Sequence, residues 1–107
     1  MTTTMIPLLS QLEFEGLLRS NTKANTVVYF TAPWCGACKR LDFDRILIHN
    51  TSVIWYKCDI DVNKYTLGYC GLSKIPSFAF IKDGKFLGKF TSSDTDMVIE
   101  MIDESFL

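Results

Sequence analysis

Two hydrophobic periods alternate along the chain. Met5 to Leu8 is a short apolar piece interrupted by Pro7, which predicts an edge strand. Ser10-Gln11-Leu12-Glu13 has the form of a capping box, with Ser10 as N-cap and Glu13 reaching back. Phe14, Leu17 and Leu18 then recur at helical spacing, predicting a first helix that fades by Ser20-Asn21. A polar connection over Thr22 to Asn25 leads into Thr26 to Thr31, too uniformly apolar for a half-exposed strand and predicted to be a central one covered on both faces. A second helix is expected from about Cys35 to Ile48, with Leu41, Ile46 and Ile48 toward the core and with His49 and Asn50 closing it. Thr51 to Cys58 predicts another strand, and Val62 to Cys70 a short helix stopped by Gly71. Ser77 to Lys82 and Lys85 to Phe90 flank Asp83-Gly84, the strongest hairpin signal present. The last helix should start near Ser93 or Asp94 and carry Met97, Val98, Met101 and Ile102 on one face. The resulting order, β-α-β-α-β-α-β-β-α, implies an α/β fold with a central mixed β-sheet and helices on both faces.

At 107 residues, without repeats or low-complexity segments, the chain is expected to be a single domain spanning 1–107. A formal net charge of −1, and no Lys/Arg stripe with interleaved aromatics, argue against a nucleic-acid partner. No apolar run approaches the ~20 residues of a membrane span. Residues 1–7 lack a basic stretch followed by an apolar one, so a cytoplasmic location is expected, and four cysteines there would be reduced or catalytic.

The chemistry concentrates in Trp34-Cys35-Gly36-Ala37-Cys38, between a strand and a helix. With Cys35 on a first helical turn, unpaired N–H groups and the helix dipole would favour its thiolate, the form that attacks disulfides. Cys38, about one turn on, could close a small disulfide ring and act as the resolving sulfur. For this chemistry the Cys35 sulfur must be accessible and must ionise near neutrality. Zinc is the rival, but a closed site needs four ligands, and Cys58, Cys70 and His49 form no second close pair. His49, the only histidine, suits a helix C-terminus. Asp59 and Asp61 could suggest acid–base or metal work, yet a solvated loop explains them more cheaply.

Val27-Val28-Tyr29-Phe30-Thr31-Ala32-Pro33-Trp34-Cys35-Gly36-Ala37-Cys38-Lys39, Lys57-Cys58-Asp59-Ile60-Asp61, Ile75-Pro76-Ser77-Phe78 and Lys82-Asp83-Gly84 together resemble the thioredoxin family, over essentially the whole chain. The resemblance implies the thioredoxin fold, with Cys35 as nucleophile and Cys38 as buried resolving thiol. Trp34, Gly36, Ala37, Ile75, Pro76 and Ser92 would face the substrate. Pro76 would be a cis proline that turns the Ile75 backbone toward a substrate strand. Partners would be disulfide-containing proteins and a separate reductase or glutathione-type donor, since no G-x-G-x-x-G dinucleotide motif occurs. No organic cofactor or metal is required, and a monomer is expected.

Four positions depart from the family. Ala37 replaces a common proline and restores an N–H donor, which should make the couple less reducing. Tyr29 stands where a buried acid commonly takes the resolving cysteine's proton, which leaves that task to water or Lys57. Phe43 replaces a helix-kinking proline, so a straighter helix is expected. Ser92 replaces a glycine of the docking surface. Cys58 should be core, and Cys70 either a semi-buried helix-end residue or a peripheral thiol open to glutathionylation or dimer formation. An oxidase or isomerase resembling disulfide-isomerase domains is the second enzyme reading, although Glu104-Ser105-Phe106-Leu107 is no retention signal. A thioredoxin-fold binding subunit is the third.

Overall fold

A computed structural model describes residues 4–20 and 23–107. Asn21 and Thr22, expected at the end of the first helix and in the following connection, lie outside the described residues, as do Met1 to Thr3. The strands are β1 (Ile6–Pro7), β2 (Thr26–Thr31), β3 (Ile54–Asp59), β4 (Ser77–Lys82) and β5 (Lys85–Thr91). They form one sheet in the order β1-β3-β2-β4-β5. β2 runs parallel to β3 and antiparallel to β4, so the sheet is mixed. Every residue of β2 is buried, as its continuous apolar run requires. Its alternate side chains feed two cores. Val27 and Tyr29 join Trp55, Phe78 and Phe80 beneath α2 (Phe43–His49) and α4 (Thr95–Ser105). Val28 and Phe30 join Ala79, Ile81 and Cys58 beneath α1 (Gln11–Arg19) and α3 (Thr66–Tyr69).

Local signals place the ends of several elements. Ser10 Oγ accepts from the Glu13 N–H, while the Glu13 carboxylate takes the Leu9 N–H instead of that of Ser10. Asp83 and Gly84 have φ of 55° and 72°, the paired left-handed conformation that joins β4 to β5. Gly71, with φ 74°, follows α3 as the expected stop. Asp94 caps α4 by accepting from the Met97 N–H.

Several expectations fail. The second helix is not continuous from Cys35: Cys38–Arg40 is a 3₁₀ turn, Leu41 is extended, and α2 starts only at Phe43. Asp42 causes the break, because its carboxylate accepts from the Arg45 N–H and starts a new helix, while its own N–H donates to Thr95 Oγ1. The chain therefore bends here without a proline, where a straighter helix was expected. Ile48, expected in the core, is 75% exposed, and Met97 is also exposed, whereas Val98 and Ile102 are buried. The helix expected over Val62 to Cys70 shrinks to Thr66–Tyr69. Asn63 competes for the preceding loop: its buried side chain donates to Leu8 O and accepts from the Thr66 hydroxyl.

Candidate active site

Cys35 and Cys38 are joined by a disulfide, with Cα atoms 5.3 Å apart. They sit just beyond the C-terminal end of β2, in a small cluster with Ala32. The helix dipole invoked from the sequence is absent, since only a three-residue 3₁₀ turn follows. What remains is local. The Cys38 N–H donates to Cys35 Sγ at 3.1 Å, a contact that favours a thiolate once the disulfide opens. The expected contrast between an open attacking sulfur and a covered resolving one is also missing in the disulfide state. Cys35 is 4% exposed and Cys38 7%, because Ala37, Ile60 and Ile75 pack against the pair.

Trp34 forms the exposed rim, 64% accessible, and its indole N–H donates to both Asp61 oxygens at 3.2 and 3.0 Å. Asp59 in turn accepts from the Asp61 N–H at 2.9 Å. Asp61 lies in an exposed turn after β3, the solvated loop expected there, and its contact with the indole is what the spacing alone does not show. The signal available was the place of the two acids: Asp59 pairs with Thr31 across β2 and β3, which puts the following loop beside Trp34. The Ile75–Pro76 bond is cis. Ile75 packs against the disulfide cluster, and its own N–H and C=O bond to no other backbone group among the described residues. Ser92 follows Thr91, which pairs with Ser77, so Ser92 lies one step past the ladder and across from Pro76. Its hydroxyl accepts from the Asp94 N–H. Gly36 and Ala37 complete the turn between the sulfurs.

Tyr29 packs into aromatic surroundings. Its ring lies 4.6 Å from that of Phe43 and 5.4 Å from that of Phe78, and its hydroxyl donates to Thr31 Oγ1 at 3.1 Å. Burial pushes its pKa above the ordinary value, against the lowering effect of the Thr31 bond. It is no base at neutral pH. Lys57 faces Tyr29 in register, but its side chain is exposed. Cys58 is fully buried, and burial pushes its thiol up to about 12, with the charges of Cys70 and Asp59 adding to the rise. Cys70 is 7% exposed and is likewise pushed up to about 12 by burial. It is the buried C-cap residue of α3. Among the described residues, no three His, Cys, Asp or Glu side chains converge as a metal-ligand set, and no helix is long and apolar enough to cross a membrane.

The thioredoxin family model matches residues 5–104. The chain belongs to the thioredoxin family. Thioredoxin-3, mitochondrial, of Saccharomyces cerevisiae is 30% identical over 94 residues, covering 86% of this chain and 72% of that one. The TPR repeat-containing thioredoxin TDX of Arabidopsis thaliana is 31% identical over 94 residues, 84% of this chain but only 25% of that protein. The chain thus spans about a quarter of that relative's length. The solved structure of Fasciola hepatica thioredoxin superposes with a TM-score of 0.82 at 28% identity, covering 94% of this chain and 99% of that one. These likenesses establish the thioredoxin fold. A disulfide-forming Cys35–Cys38 pair in this family is consistent with thiol–disulfide oxidoreductase activity.

Proposed function

We propose that the chain reduces disulfides in proteins. The observation that carries this reading is the Cys35–Cys38 pair, with an N–H donor on Cys35 Sγ, set beside an Ile75 backbone that bonds to no other backbone group among the described residues. In the reduced protein the Cys35 thiolate attacks one substrate sulfur, and the other substrate sulfur leaves as a thiolate that takes up a proton. Cys38, deprotonated, then attacks Cys35 Sγ, releasing the second substrate thiol and restoring the Cys35–Cys38 disulfide. Two electrons pass to the substrate, and a separate reductase or a glutathione-type thiol returns them. No organic cofactor or metal takes part, and the protein acts as a cytoplasmic monomer.

Tyr29 is no proton acceptor at neutral pH and Lys57 is exposed, so the Cys38 proton passes to water, at a cost in rate. Trp34, Gly36, Ala37, Ile75, Pro76 and Ser92 form the docking surface. The test is insulin-disulfide reduction driven by dithiothreitol, then by glutathione and by a thioredoxin reductase. Turnover that disappears in Cys35→Ser supports the reading, and absence of turnover in the unaltered protein sinks it. The buried Tyr29 phenol also favours one rival, a binding subunit whose redox ability is incidental. Retention of the biological role by the Cys35→Ser, Cys38→Ser variant would select that rival.

A further inference from the structure

The segment 71–76, which brings Ile75 and Pro76 to the disulfide, has no helix or strand of its own. The Gly71 and Leu72 N–H groups donate to Gly68 and Leu67 of α3, and side chains of the neighbouring hairpin hold the rest. Ser77, the first residue of β4, is fully buried, and its hydroxyl donates to the Lys74 carbonyl. The same oxygen lies 2.6 Å from Thr91 Oγ1 on β5. A serine hydroxyl has one proton. With that proton on the Lys74 carbonyl, the second bond must be donated by Thr91. Two residues earlier on the same face of β5, Lys89 Nζ donates to the Gly71 carbonyl at 2.8 Å. Gly71 is thus tied to the edge strand directly and Lys74 through Ser77, immediately before the Ile75 backbone.

We infer that the Ser77–Thr91 hydroxyl pair is a positioning device for polypeptide substrates. It holds the Lys74 carbonyl and through it sets the orientation of the Ile75 N–H and C=O, the groups an extended substrate segment pairs with. Such pairing rewards a docking edge held rigid beforehand, because a loose one must be ordered at each encounter. A disulfide without peptide groups has nothing to pair and is indifferent to the clamp. The inference rests on the reductase reading and adds the basis of its preference for disulfides set in extended chain. A hydroxyl bridge that only satisfied buried polar atoms would change stability and leave substrate discrimination alone.

The experiment compares kcat and KM for insulin and for hydroxyethyl disulfide in the unaltered protein, Ser77→Ala, Thr91→Val and Thr91→Ser. Ser77→Ala is expected to lower kcat/KM for insulin about three- to tenfold, mainly through KM, as loss of one or two hydrogen bonds allows. Its rate with hydroxyethyl disulfide should stay within about twofold. Thr91 is exposed, so Thr91→Val keeps the test open if the buried change unfolds the protein. It should weaken insulin reduction about two- to threefold, and Thr91→Ser, which keeps the hydroxyl, should restore it. Equal losses on both disulfides, or no loss on insulin in Thr91→Val, overturn the inference. An unaltered protein that reduces hydroxyethyl disulfide but not insulin overturns the reductase reading, and the inference with it.

Discussion

The protein holds two pairs of cysteines in opposite environments. Cys35 and Cys38 lie at the end of β2, where the Cys38 N–H reaches the Cys35 sulfur and the indole of Trp34 marks an open rim. Cys58 and Cys70 lie in the core beneath α1 and α3, where burial pushes both thiols up to about 12. Residue exposure does not separate the pairs, since Cys35 at 4% is covered as fully as Cys70 at 7%. Backbone geometry does. One pair lies three residues apart on a tight turn that presents a donor to sulfur, whereas the Cys58 thiol faces the Asn63 carbonyl, 3.9 Å away. A carbonyl accepts and cannot stabilise a thiolate. A donor aimed at a sulfur favours its thiolate, and an acceptor does not.

The largest effect should come from exchanging the pairs as mutational targets. Cys35→Ser should lower disulfide reduction by at least about a thousandfold, while Cys70→Ala stays within about twofold of the unaltered protein. Comparable losses in both would erase the distinction, and steady-state insulin reduction measures it. Tyr29→Asp comes next. It puts a carboxyl among Phe43 and Phe78 and should cost about 2–4 kcal/mol in urea unfolding. It should also speed exchange at neutral pH by supplying the missing proton acceptor; a rate no faster than the parent's argues against that account.

The core pair also has a pH signature. Its folded thiols hold their protons up to about 12, whereas unfolded thiols ionise near ~8.5. The folded state therefore binds more protons above that point, so the contribution is complete below pH ~8 and is lost as pH rises toward 12. Cys58→Ala should flatten the alkaline fall in stability, and an unchanged slope would contradict the burial assignment. The smallest effect belongs to the rim. Asp61→Asn weakens the hold on the Trp34 indole and should reduce insulin turnover about two- to fivefold.

Much of this was legible from patterning, because the signals were strong and local. The buried run of β2, the Asp83-Gly84 turn, the Ser10 and Asp94 caps and the Cys-x-x-Cys spacing each act over a few residues. The failures came from side chains that compete with the backbone over a longer reach. Nothing in the apolar spacing marks Asp42 as a new N-cap, because Leu41 and Ile46 are buried whether or not the helix breaks between them. Asn63 shortens α3 through a bond to Leu8, distant in sequence. Tyr29 and Phe43 were separate departures in the sequence, yet their rings meet at 4.6 Å, so the aromatic pair is one change in packing. Asp61 was missed because its partner, Trp34, is brought near only by the sheet register.

The most direct test is the pH dependence of iodoacetamide alkylation in the fully reduced protein, with each modified cysteine identified by mass spectrometry. Cys35 is expected to react first, with a half-maximal rate below pH ~7.5, while Cys58 and Cys70 stay unmodified until above pH ~10. A half-maximal rate for Cys35 at pH ~8.5 or higher, or a Cys70 that reacts as fast, would contradict the claim that the turn at position 35 makes the reactive thiolate.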